Sequence, residues 1–235
     1  ALAVSGLAWD WHSVFYAVAL ASVLGGLVVV LVVPAAPGTA ARPAVFQLRA
    51  LTSIWHDRRL RASAFGYFGH MVELYTMWVL VPLILAGRLA GAAVSWWAFV
   101  ILGSGALGCI AGGVLARRHG SARVAAMQLG TSGMCCLLAP LALQAPLALF
   151  LAWLVLWGVT VAGDSPQFSA LTATNAPAAA VGSVLTLVNS VGFAISALSI
   201  ELFVGLTTVH PLPAVLPGLA VGPALGLLML RPLLR

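Results

Sequence analysis

Residues 61–86 read RASAFGYFGHMVELYTMWVLVPLILA, and the reading of this stretch decides the fold. It exceeds the ~20 apolar residues that cross a bilayer as a helix. Yet it carries His70 and Glu73 near its middle. An ionisable group at that depth costs roughly 2.5 kcal/mol or more, so it almost always faces protein or a water-filled path. On a helical wheel Ser63, Gly66, Tyr67, His70, Glu73 and Met77 share one face. His70 and Glu73 are three apart and therefore neighbours on that face. A carboxyl and an imidazole so placed can hold or relay a proton. The plainer alternative is a structural hydrogen bond between helices.

The whole chain supports a membrane setting. Of 235 residues, 62% are hydrophobic and 7% charged, against about 25% charged in soluble domains. In lipid, helices satisfy their own backbone hydrogen bonds, so the expected class is all-α integral membrane. The net charge of +6 invites a nucleic-acid reading, but all eleven basic residues are Arg and they gather in short loops between apolar runs. That is the positive-inside pattern, and no nucleic-acid partner is expected. Cys109, Cys135 and Cys136 lie inside apolar runs, where free Cys behaves as a small hydrophobe. They form neither a disulfide framework nor a metal-ligand spacing, and no cofactor is expected. The chain starts at Ala1 inside an apolar run, without a signal-peptide n-region, which reads as a fragment of a longer protein.

Trp9 and Trp11, beside Asp10 and His12, resemble an interfacial belt ending a truncated helix. The first full span is residues 13–33, uncharged and suited to lipid. PAAPG at 34–38 breaks it. Residues 42–60 place Val45, Leu48, Leu51 and Trp55 at helical spacing among Arg42, Arg49, Arg58 and Arg59, as in an amphipathic helix on the membrane surface. Further spans are read at 62–86, 94–116, 124–143, 146–171, 181–206 and 213–230. Ten arginines then fall on one side and only Arg88 on the other, which sets the C-terminus inside. GSGALG at 103–108 formally matches a dinucleotide fingerprint, but that motif needs a strand and a βαβ unit. Within a span, Gly108 and Gly112 instead let two helices approach closely.

Other spans carry polar faces. Trp153, Trp157, Thr160, Asp164 and Gln167 recur on one face of the fifth span, a pattern suited to a substrate-lining wall. Asp164 lies ~27 Å along from Pro146, toward the cytoplasmic end, which favours a gate over a substrate ligand. Pro166 is expected to kink the helix beyond it. Thr186, Asn189, Phe193 and Ser196 share a face of the sixth span, and Glu201 sits at its outer rim. The first, fourth and seventh spans carry no charge, a weak repeat of three such as transporter folds contain.

Residues 113–123 read GVLARRHGSAR. They resemble the loop G-x-L-A-D-R-x-G-R-R of the Major Facilitator Superfamily, found between its second and third helices and again between the eighth and ninth. Gly113, Leu115, Ala116, Arg118 and Gly120 match; Arg117 stands where the acid is expected, and Ser121 and Ala122 replace basic positions. The resemblance covers essentially the whole chain and implies helices six to twelve of a twelve-helix fold. Residues 1–33 would then end the N-terminal bundle. Residues 34–61 would be the cytoplasmic amphipathic linker and residues 62–235 the C-terminal six-helix bundle. Helices six, nine and twelve would face lipid, and seven, ten and eleven would line the cavity. The missing N-terminal bundle would be the partner. The implied activity is secondary transport of a small solute by alternating access, with a proton as candidate coupling ion, in a plasma or inner membrane. His70, Glu73, Tyr67, Met77 and Asn189 are the candidate proton or substrate site. Trp153, Trp157, Thr160 and Phe193 would form the cavity wall. Asp164, Gln167, Gly113, Arg117, Arg118, Gly120 and Arg123 would form the cytoplasmic gate.

Rival readings fare worse. A retinal-binding receptor needs a lysine for its Schiff base, and the chain has none. An aspartyl protease needs two facing carboxylates, whereas Asp164 and Glu73 are placed at different depths. A non-transporting, receptor-like pseudo-carrier is the remaining alternative. The acidic, aromatic wall suits cationic or neutral amphipathic solutes, hence efflux.

Overall fold

The computed structural model describes residues 12–32 and 50–234. The Trp9–Trp11 belt, the PAAPG break, Arg42 and Arg49 lie outside them. Among the described residues, seven helical segments are long and apolar enough to cross a membrane. The first, α1 (His12–Val32), is apolar along its length and has no buried residue.

A short helix, α2 (Ala50–His56), precedes α3 (Arg58–Ala86). The sequence puts Arg58 and Arg59 on the surface helix and starts the span at Ala62; the structure corrects this. The Asp57 carboxylate accepts from the backbone N–H of Arg59 (2.7 Å) and Leu60 (2.9 Å). An aspartate that caps two orphan donors starts a helix where it stands, so both arginines belong to the first turn of α3.

The next spans are α4 (Ala92–His119) and α5 (Ser121–Ala142). What reads as a loop at 113–123 is mostly helix. Arg117, Arg118 and His119 form the last turn of α4, where cations suit the helix dipole. Gly120 alone makes the turn, at φ +82°, a conformation that favours glycine. The fifth span is split into α6 (Leu147–Gly163) and α7 (Ser165–Asn175), meeting at Asp164. The break falls two residues before Pro166. Proline has no N–H for the carbonyl four residues back, here Ala162, and Cys109 Sγ approaches that oxygen at 3.5 Å. The sixth span is α8 (Val181–Val209). The last joins α9 (Leu212–Val215), a 3₁₀ segment (Leu216–Ala220), α10 (Val221–Leu230) and a closing 3₁₀ turn (Arg231–Leu233).

The helix opened by the sequence argument is the axis of the bundle. α3 packs against α4, α6, α7, α8 and α10. Small residues set these crossings. A Cβ on Gly69 would meet the backbone of Gly222 and Gly226 in α10, and one on Gly108 would collide with the Val159 carbonyl in α6. The close approach expected at Gly108 and Gly112 is therefore made against α6, and close backbones are what membrane helices pack by. Hydroxyls join α3 to α8: Ser196 donates to the Met71 carbonyl (2.7 Å) and Thr76 to Ser199 (2.8 Å).

The fourth span departs from expectation. α5 carries no charge inside the membrane and exposes Met127, Met134, Leu137 and Leu141 on one side, yet its other side is buried. It is more buried than α4 or α8, because Ser132, Gly133, Cys135, Cys136 and Ala139 give it a narrow face that fits the interior. The charge pattern of the ends survives in three dimensions. Arg58 and Arg61 share one cavity with Arg231, and Arg59 shares another with Arg123. At the opposite end Arg88 donates to the carbonyls of Leu143 (2.7 Å) and Ala145 (3.0 Å) and lies over the Phe150 ring.

Candidate functional site

Three ionisable side chains lie at the centre of this bundle: His70 and Glu73 on α3 and Asp164 at the α6–α7 junction. All three are fully buried. The sequence pairs His70 with Glu73; the structure does not. His70 Nδ1 stands 2.9 Å from Asp164 Oδ1. That line departs from the ring N–H direction, so the contact is close without being an aligned hydrogen bond, and both carboxyl oxygens and both ring nitrogens lack one. The ring is held between Tyr67 and Phe168, with centroids 5.7 and 5.8 Å away.

Glu73 is engaged by two other helices. Its carboxyl accepts from Trp157 Nε1 (2.6 Å), Ser132 Oγ (2.8 Å) and Cys136 Sγ (3.2 Å). Ser132 and Cys136 are four apart on α5 and so point the same way. Sequence reasoning missed both. The only signal was a pair of small polar groups at helical spacing in a span dismissed for lacking charge.

Ser132 has a further property. Its single hydroxyl proton has two acceptors within reach, Glu73 Oε2 at 2.8 Å and the Leu129 carbonyl at 3.1 Å. A hydroxyl has one donor and two lone pairs. With Glu73 ionised, Ser132 donates to it. With Glu73 protonated, the carboxyl donates to Ser132, which turns its proton to Leu129. Both states keep every group bonded without moving a heavy atom.

Asp164 is also placed differently from expectation. α7 continues to Asn175, so the combined span runs 29 residues, Leu147–Asn175. Asp164 is thus ~16 Å from the Asn175 end rather than near it. It faces His70, not an arginine, and lies within about one turn of the level of Glu73. The different depths read from the sequence are therefore wrong. The two carboxyls nonetheless have separate partners.

The remaining candidates divide. Trp157 is fully buried, and Thr160 bonds back to the Leu156 carbonyl of its own helix (2.9 Å). Trp153 donates to the Cys135 carbonyl (3.1 Å). Trp157 and Thr160 are thus interior contacts, whereas Trp153 is half-buried. Gln167 is buried, Met77 packs in the core, and Tyr67 lies against Gly192 of α8. Asn189 is half-buried and Phe193 is 53% exposed, beside rather than on the buried stripe of α8. Gly113, Arg117, Arg118 and Arg123 are exposed at the arginine-rich end, around the Gly120 turn.

The family model described as Major Facilitator Superfamily matches residues 1–200. No curated protein and no solved structure gives a match.

Proposed function

The chain belongs to the Major Facilitator Superfamily, a family of membrane transporters, and from that premise we propose that it moves a small solute by alternating access coupled to a proton. In this reading residues 1–33 belong to one bundle and residues 34–61 link the halves. A second bundle, residues 62–235, rocks against the first in a plasma or inner membrane with the C-terminus cytoplasmic. The observation that carries the coupling is the Glu73–Ser132–Leu129 arrangement. A carboxyl buried among three helices is bonded equally well with and without a proton, so loading and unloading need not disrupt the fold. Three residues away, the His70–Asp164 contact offers a second place for the same proton. Because α3 also touches α8 and α10, a change in its charge acts on the elements that would move.

The test is transport in proteoliposomes with and without an imposed pH gradient. Glu73→Gln, which fixes the carboxyl in a proton-loaded shape, is expected to leave exchange and remove gradient-driven accumulation. Accumulation that stayed fully gradient-dependent in Glu73→Gln would refute the coupling. The gate reading is separate: Arg117 and Arg118 at the end of α4 hold one gate state. Arg118→Ala should shift the inward/outward population measured by spin-label distances, and an unchanged distribution counts against it.

A further inference from the structure

We propose that the arginine-rich end of α10 holds one anionic phospholipid, with its phosphate among Arg58, Arg61 and Arg231 and an acyl chain lying along α10. A cavity of about 270 Å³ is lined by these three arginines together with Ala62, Leu228 and Met229. A second, of about 380 Å³, shares Leu228 and Arg231 with it and continues over Val221, Ala224 and Leu225. One helix thus leads without interruption from a basic mouth to an apolar groove. Val221 to Arg231 spans ~15 Å of helix, half the ~30 Å hydrocarbon thickness, which is the depth of one leaflet.

Among the described residues no carboxylate lines the mouth. Asp57, the nearest acid in sequence, is bound to the backbone N–H groups of Arg59 and Leu60. Among the described residues no carboxylate comes within ion-pair distance of the three guanidiniums; the pair that does form is His70–Asp164. Arg61 Nη1 donates to the Trp55 carbonyl (2.7 Å). This fixes the guanidinium while leaving most of its five donors for a ligand. Guanidinium is matched to phosphate oxygens, and basic pockets between membrane helices at their polar ends are suited to lipid headgroups. A free phosphate would use the mouth alone. The apolar continuation is what selects a lipid.

The experiment is native mass spectrometry of the purified full chain in a neutral detergent. It is titrated with phosphatidylglycerol, with phosphatidylcholine of the same acyl chains, or with inorganic phosphate. Phosphatidylglycerol should bind as one saturable copy and phosphatidylcholine at least tenfold more weakly. An interfacial arginine contributes about fivefold to attraction of an anionic lipid. Arg58→Gln with Arg231→Gln should therefore weaken phosphatidylglycerol by about thirtyfold, equivalent to about 2 kcal/mol. Ala224→Trp fills the groove at an exposed position and leaves the arginines intact; it should weaken the lipid by at least tenfold. Equal binding of the two lipids, or unchanged affinity in the double variant, overturns the site. Inorganic phosphate displacing the lipid stoichiometrically, with Ala224→Trp silent, overturns the lipid in favour of a free anion.

Discussion

Substitution of Glu73 separates shape from charge in the buried cluster. Glutamine is nearly isosteric with a protonated glutamic acid. Its amide oxygen can still accept from Trp157 and Cys136. Its amide nitrogen can donate to Ser132, whose proton then goes to the Leu129 carbonyl along the 3.1 Å contact already present. Every native donor keeps an acceptor and only the second amide N–H is left without one, so Glu73→Gln should cost about 1–2 kcal/mol. Alanine removes the carboxyl altogether. Three contacts disappear, those from Trp157, Ser132 and Cys136. Interhelical hydrogen bonds in membrane proteins average about 0.6 kcal/mol each, giving about 2 kcal/mol. The void left in a fully buried site adds about 2 kcal/mol more. Glu73→Ala should therefore lose about 4 kcal/mol. The assay is reversible unfolding of the purified protein in mixed micelles of increasing SDS fraction. It is followed by tryptophan fluorescence, with far-UV circular dichroism as a second probe. If alanine is tolerated as well as glutamine, the carboxyl is not the knot between α3, α5 and α6. If glutamine is as damaging as alanine, Ser132 does not reverse its role.

Other outcomes follow from the packing. Gly108→Leu puts a side chain into the Val159 carbonyl and should cost about 3 kcal/mol or prevent folding, whereas Gly103→Leu, with open space around it, should leave the melting temperature unchanged. His70→Asn and Asp164→Asn should each destabilise and be non-additive, because the 2.9 Å contact is lost only once; a double-mutant cycle summing to zero would show that the pair does not interact. Arg88→Ala removes two bonds to exposed carbonyls and should lower the melting temperature by less than about 3 °C, as solvent-exposed interactions do.

The one-dimensional pattern was sufficient for everything that depends on the solvent. Apolar length fixes where spans lie, and arginine placement fixes which ends share a side. The cost of burying charge marks His70 and Glu73 as interior groups. Even Pro166 told where α6 would break, because a missing N–H is a local fact. The family resemblance rested on five residues around Gly120, and it held.

What remained hidden was which polar groups meet. Neighbourhood on a helix face suggested His70 with Glu73, but side chains on one face reach different partners when two helices cross it at different heights. Asp164 takes His70, and α5 closes over Glu73. That depends on how α5 and α6 are rotated and how near they come, which glycine and alanine contacts decide to within an ångström. A sequence records that Gly108, Gly133 and Gly158 are small; only the packed bundle determines what their smallness admits. So the chain announces a transporter-type helix with costly charges inside it. The tertiary structure alone decides that those charges are bound within one bundle, by Trp157, Ser132, Cys136 and Asp164.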